Sequence, residues 1–157
     1  MTRSTQVAVV QMCATSDIEH NLSSSAPLVQ GAADAGAEVV LLPEAFTYIG
    51  SNKGKAEALE PLPQGGPILD RCRAMARDAN VHLIFGFHEA RQKDARQREA
   101  ADEGDARSFN TCVHLNPAGE IESCYRKIHM FDVDLSDGTR LLESRGTAPG
   151  DTPVTTE

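Results

Sequence analysis

Short β-branched runs recur along the chain, separated by stretches with helical spacing. Residues 6–11 (QVAVVQ) have the length and composition of a buried strand. Ser16-Asp17-Ile18-Glu19 then reads as a capping box, with Ser16 at the cap and Glu19 reciprocating. It predicts a helix over residues 17–35, stopped by Gly36 and kinked or broken at Pro27, which removes one backbone hydrogen bond. Residues 38–42 (EVVLL) predict a second strand. Strand, helix and strand in succession form the βαβ unit of an α/β protein, with a right-handed crossover.

Residues 50–66 are polar and rich in Gly, Pro and Lys, which predicts a loop. Ile68, Leu69, Cys72, Met75 and Ala76 share one helical face behind Pro67, predicting a helix from Pro67 to about Ala79. Residues 81–87 (VHLIFGF) predict a third strand. Two further runs, 109–115 and 120–126, flank the turn-forming Asn116-Pro117-Ala118-Gly119 and predict a β-hairpin. Beyond Lys127 the pattern turns irregular, and residues 152–156 read as the beginning of another strand.

Residues 91–107 differ in kind. Ten of these seventeen are charged, with mixed signs and no aromatic or β-branched residue. Such a segment cannot enter a core, so it reads as a solvated insertion in a single domain spanning residues 1–157.

Composition narrows the function classes. The net charge of −8 argues against non-specific nucleic-acid binding, which needs a basic face. No apolar run reaches bilayer-spanning length, and the N-terminus lacks a signal-peptide core, so a cytoplasmic protein is expected. Cys13, Cys72, Cys112 and Cys124 have no C-x-x-C spacing and read as reduced thiols. His20, His82, His88, His114 and His129 have no metal-ligand spacing, so no metal site is expected. A G-x-G-x-x-G fingerprint does not follow the first strand, and no G-x-S-x-G elbow exists.

Two charged residues sit where chemistry is done in α/β proteins. Glu44 follows the apolar run 39–42 and Pro43. Ligands bind at the carboxyl ends of parallel strands, where partial desolvation suits a carboxylate to general-base work. A glutamate capping a backbone N–H or pairing with a surface lysine fits the same position. Lys127 ends the hairpin's second strand. It is either a surface lysine, the commoner case, or an ammonium placed to stabilise an oxyanion.

The order of motifs adds to this. Val7 to Asn21 opens with a strand and a D-x-x-x-N helix start. Gly36-Ala37 leads to Pro43-Glu44; Phe109-Asn110-Thr111 leads through Gly119 to Tyr125-Arg126-Lys127-Ile128-His129; Leu142-Glu143-Ser144 leads to Pro149-Gly150-Asp151. Together these four elements resemble the nitrilase, or carbon-nitrogen hydrolase, superfamily, nearest its ω-amidase and deaminated-glutathione amidase branch. The resemblance implies an α/β fold of the α-β-β-α sandwich type, incomplete in this chain. It implies Glu44 as general base, Lys127 as oxyanion holder and Glu143 as the residue orienting the lysine or substrate. The family's cysteine nucleophile, on a G-x-x-x-C-Y-D-like segment, is expected beyond Glu157. Cys13, at the end of the first strand, is the cysteine here that approaches a site most readily; Cys72, Cys112 and Cys124 read as packing residues.

The resemblance further implies a small-molecule amide substrate, no metal or organic cofactor, and a homo-oligomer built by face-to-face pairing. An incomplete sandwich is expected to leave an apolar sheet face and a strand edge open, favouring association. The competing reading is a catalytically silent homologue that serves as a binding or dimerisation module.

Overall fold

The computed structural model describes residues 4–92 and 107–156. Most of the charged segment 91–107 therefore lies outside the described residues. Five strands form one mixed sheet in the order β1 (Val7–Val9), β2 (Val39–Leu41), β3 (His82–Glu89), β4 (Phe109–Leu115), β5 (Ile121–Arg126). The pairs β1·β2 and β2·β3 are parallel; β3·β4 and β4·β5 are antiparallel. The first two strands are shorter than their sequence runs, but pairing continues past them through Val10 N→Leu41 O (2.9 Å) and Leu42 N→Ile84 O (2.8 Å).

Helices α1 (Ile18–Asp34) and α3 (Pro67–Ala79) pack together, and their apolar stripes join one core with the sheet. Leu22 and Val29 of α1 and Leu69, Cys72 and Ala76 of α3 meet Val40, Leu83, Phe85, Phe87, Val113 and Leu115. Strand alternation sends the intervening residues to the opposite face. There Val7 and Val9 of the edge strand are 54% and 79% exposed.

Several local expectations change. The helix cap is Asp17, not Ser16: its carboxylate accepts from His20 N at 2.9 Å, while Thr15 Oγ1 accepts from Asp17 N. Pro27 does not break α1, which runs unbroken over 17 residues. The expected loop 50–66 holds a short helix α2 (Asn52–Lys55), capped by Ser51, followed by a 3-10 turn. Glu60 then caps α3 from a distance. Its buried carboxylate accepts from Ile68 N and Leu69 N at 2.7 and 2.9 Å, satisfying donors that Gly66 has no side chain to meet. The stretch after Lys127 is not irregular but contains a second, two-stranded sheet, β6 (Asp132–Asp134) with β7 (Arg140–Leu142). Residues 152–156 form no strand.

Candidate active site

Glu44 opens a turn just beyond β2. Three contacts fix that turn. Gly86 of β3 lies so near that a Cβ there would stand 1.6 Å from the Glu44 carbonyl oxygen, so only glycine admits the approach. Buried Asn21 donates to Thr15 O (2.8 Å) and Thr47 O (2.9 Å) and accepts from Thr15 N (2.9 Å), tying the turn to the start of α1. Ile49 N donates to Thr15 O at 2.9 Å. The D-x-x-x-N pattern thus has a structural meaning: Asp17 caps the helix and Asn21 holds the Glu44 turn.

Lys127 follows β5, where its N–H donates to Asn110 O at 2.8 Å and its carbonyl accepts from Gly150 N at 2.9 Å. Gly150 is pressed against the strand end; a Cβ there would meet Arg126 O at 2.4 Å. Glu143 enters from the β6–β7 hairpin, at the head of a 3-10 turn. Its Oε2 accepts from Lys127 Nζ at 2.9 Å and from Phe131 N at 2.6 Å. Lys127 Nζ also stands 3.5 Å from Glu44 Oε1, and Asn110 Nδ2 donates to the same oxygen at 2.5 Å.

The three charged residues singled out in the sequence therefore converge from three separate elements. The hydrogen bond that Lys127 donates to Glu143 raises the Lys127 pKa, so the ammonium persists at neutral pH. Burial alone would raise the Glu143 pKa, but the Phe131 N–H and the Lys127 ammonium outweigh it and the net shift is downward. One expectation changes: the Glu44 side chain is 65% exposed rather than desolvated, because the sheet face beside it is open.

The pocket that Glu44 and Lys127 line measures about 300 Å³, with Leu42, Ile84, Phe85 and Tyr125 along its apolar wall, and Glu143 lines the neighbouring cavity. Two residues that sequence reasoning did not place in the site line the Glu44 pocket, Asn110 and Cys112. Strand parity was the available signal, since both point away from the buried Thr111 and Val113. Partial burial of its sulfur against the pocket wall raises the Cys112 pKa. Cys13 is exposed and does not line this pocket, Cys72 lies in the core, and burial pushes Cys124 up to about 11. The neighbouring cavity also contains Lys55, whose Nζ reaches Thr147 Oγ1 at 3.4 Å. Burial lowers the Lys55 pKa, against an upward pull from Glu143.

The profile of the carbon-nitrogen hydrolase family matches residues 6–157. The chain belongs to this family. Among curated proteins, this carbon-nitrogen hydrolase chain is 35% identical over 154 residues to the deaminated glutathione amidase of Homo sapiens, covering 96% of the chain and 44% of that protein. It is 30% identical over 146 residues to the omega-amidase NIT2 of Xenopus tropicalis, covering 93% and 48% respectively. These relatives lie in the branch of the nitrilase superfamily that the motifs resemble. The crystal structure of the C. elegans NitFhit protein superposes with a TM-score of 0.74 at 25% identity, over 95% of this chain and 34% of that one. Saccharomyces cerevisiae Nit3 gives a TM-score of 0.72 at 21% identity, over 97% and 51%, and supports the α/β carbon-nitrogen hydrolase fold. The chain spans about half the length of the curated relatives it matches.

Proposed function

We propose that the protein hydrolyses the amide of a small ω-amido or α-keto acid, releasing ammonia, with Glu44 as general base, Lys127 as oxyanion holder and Glu143 orienting the lysine. The observation that carries this reading is the Lys127 ammonium held between two carboxylates at the carboxyl end of the parallel strands. The nucleophile is a cysteine outside these 157 residues. Glu44 takes its thiol proton as sulfur attacks the amide carbon. The oxyanion that forms is met by the Lys127 ammonium, which Glu143 holds in place. Collapse breaks the carbon–nitrogen bond, and Glu44 returns the proton to the departing ammonia. Water, deprotonated by Glu44, then cleaves the thioester, so amide and water yield acid and ammonia. The half-buried Lys55 beside the pocket favours an acyl group with a second, anionic end. The pocket volume suits a small acyl amide rather than a peptide.

The test is ammonia release from ω-amides of small dicarboxylic and α-keto acids by the protein as its gene encodes it. Wild-type turnover with loss in E44Q and K127M supports the assignment; undiminished turnover in E44Q overturns it. The open face carrying Val7 and Val9 supports the second reading, a catalytically silent module that pairs with a copy of itself or a relative. That reading expects no turnover and a stable oligomer. Reduced thiols and the acidic surface accord with a cytoplasmic location, which fractionation tests. Among the described residues, no helix is long and apolar enough to cross a membrane.

A further inference from the structure

Away from the Glu44 site, the open sheet face brings together three side chains with metal-ligand chemistry. His82 on β3 and His114 on β4 are separated by 32 positions in sequence but face each other diagonally across the antiparallel pair. His82 Nδ1 and His114 Nε2 lie 2.9 Å apart. Glu122 joins them through an irregularity in the ladder. His114 pairs with Ser123 and Leu115 with Ile121, so Glu122 is the extra residue of a bulge. A bulge re-aims a side chain that regular alternation would send to the other face. One ligand atom from each of His82, His114 and Glu122 lies within 4.8 Å of the others.

We propose that His82, His114 and Glu122 form a binding site for a borderline divalent transition ion, with Zn²⁺ as the best fit. Two imidazoles and one carboxylate are a zinc-type donor set that leaves one tetrahedral position for water or another ligand. Zn–N bonds of about 2.0–2.1 Å at a tetrahedral angle set two ligand nitrogens about 3.3 Å apart. The imidazoles need to separate by only a few tenths of an ångström to admit the ion. Glu122 is exposed and free to swing the remaining distance.

The surroundings of His114 fit the assignment. This ring is buried at 6% exposure, and its second nitrogen, Nδ1, lies 2.8 Å from Thr156 Oγ1. When Nδ1–H donates to that hydroxyl, the tautomer is fixed and the Nε2 lone pair points at His82. Orienting hydrogen bonds of this kind accompany metal-ligating histidines. The ion would enter through a cavity of about 480 Å³ that both histidines line. Ile84 lines this cavity as well as the Glu44 pocket, so one side chain separates the two sites. No ligand here belongs to the Glu44, Lys127 and Glu143 group, and the ion's role is to clamp β3, β4 and β5.

The test is calorimetric titration of ZnCl₂ into protein stripped with chelator and held under reducing conditions, with Co²⁺ absorption as a geometric probe. The expected result is one saturable site, a tetrahedral cobalt spectrum, a rise in Tm on adding zinc, and at least a tenfold weaker affinity in H82Q, H114Q and E122Q. E122Q alters an exposed side chain, so it keeps the test decisive if either histidine variant misfolds. The absence of saturable binding overturns the proposal. So does binding of unchanged affinity in folded E122Q, which would place the ion elsewhere.

Discussion

Lys127 and Glu143 form the tightest charged contact of the site, Nζ to Oε2 at 2.9 Å, and each holds the other in its charged form. The Glu143 pKa is depressed, so its contribution to stability is present above the ordinary glutamate value and is lost as pH falls through the lower folded value. The Lys127 pKa is raised, so its contribution is present below the ordinary lysine value and is lost as pH rises through the higher folded one. The pair therefore stabilises the fold across the whole interval between. E143Q should shrink the stability lost on acidification below the ordinary glutamate range and return the Lys127 pKa toward its usual value. Denaturant midpoints as a function of pH, with NMR titration of the lysine Nζ, measure both. An acid limb unchanged in E143Q would refute the coupling.

Gly86 governs where Glu44 sits. An alanine there would place a Cβ against the Glu44 carbonyl, a backbone group that cannot rotate aside. G86A is expected to cost at least about 1–3 kcal/mol, the usual range for overpacking, and to displace the Glu44 turn. Urea denaturation gives the first quantity, and loss of the Lys127–Glu44 contact in a crystal structure gives the second.

Asn21 is fully buried and makes its hydrogen bonds to the backbone of Thr15 and Thr47. N21A leaves the buried Thr47 carbonyl without its Asn21 donor, while Thr15 O keeps the bond from Ile49 N. At about 1–3 kcal/mol for an unsatisfied buried group, a loss of that size is expected, above a typical surface change. N21D keeps the acceptor for Thr15 N but sets a buried carboxylate against the carbonyl oxygens of Thr15 and Thr47, so it should be no more stable than N21A. Denaturation midpoints of the two variants rank them.

Glu89 and Arg126 form an asymmetric ion pair. The Glu89 side chain is 3% exposed and bonds Thr111 Oγ1 as well as Arg126, whereas Arg126 is 48% exposed and stacks on Phe109. Removing the arginine leaves a buried carboxylate uncompensated, which costs about 3–5 kcal/mol. Removing the glutamate charge lets the guanidinium turn to water. R126M should therefore destabilise the protein more than E89Q does, and equal losses would contradict this account.

The exposed Val7 and Val9 make the β1 edge and face adhesive. Sedimentation velocity should show self-association at micromolar concentration, reduced in a V7K/V9K double variant. A monomer at all concentrations would count against a sheet face that needs a cover.

The main elements and their order are legible along the chain, because local spacing within a turn or strand carries that information. Alternation and helical periodicity marked the five strands of the main sheet and both long helices; α3 matches its expected span from Pro67 to Ala79. Glu44 and Lys127 were legible for the same reason: each directly follows a recognisable strand. The β6–β7 hairpin was not, since Asp132–Asp134 and Arg140–Leu142 are too short and polar to show a period. Tertiary structure alone decided the relations between distant residues. It set Glu60 at the head of α3, Gly86 beneath Glu44, and His82 beside His114, and it gave a geometry to the Glu143–Lys127 relation that the family resemblance implies. Those contacts depend on strand register and packing, which no local stretch of the chain specifies.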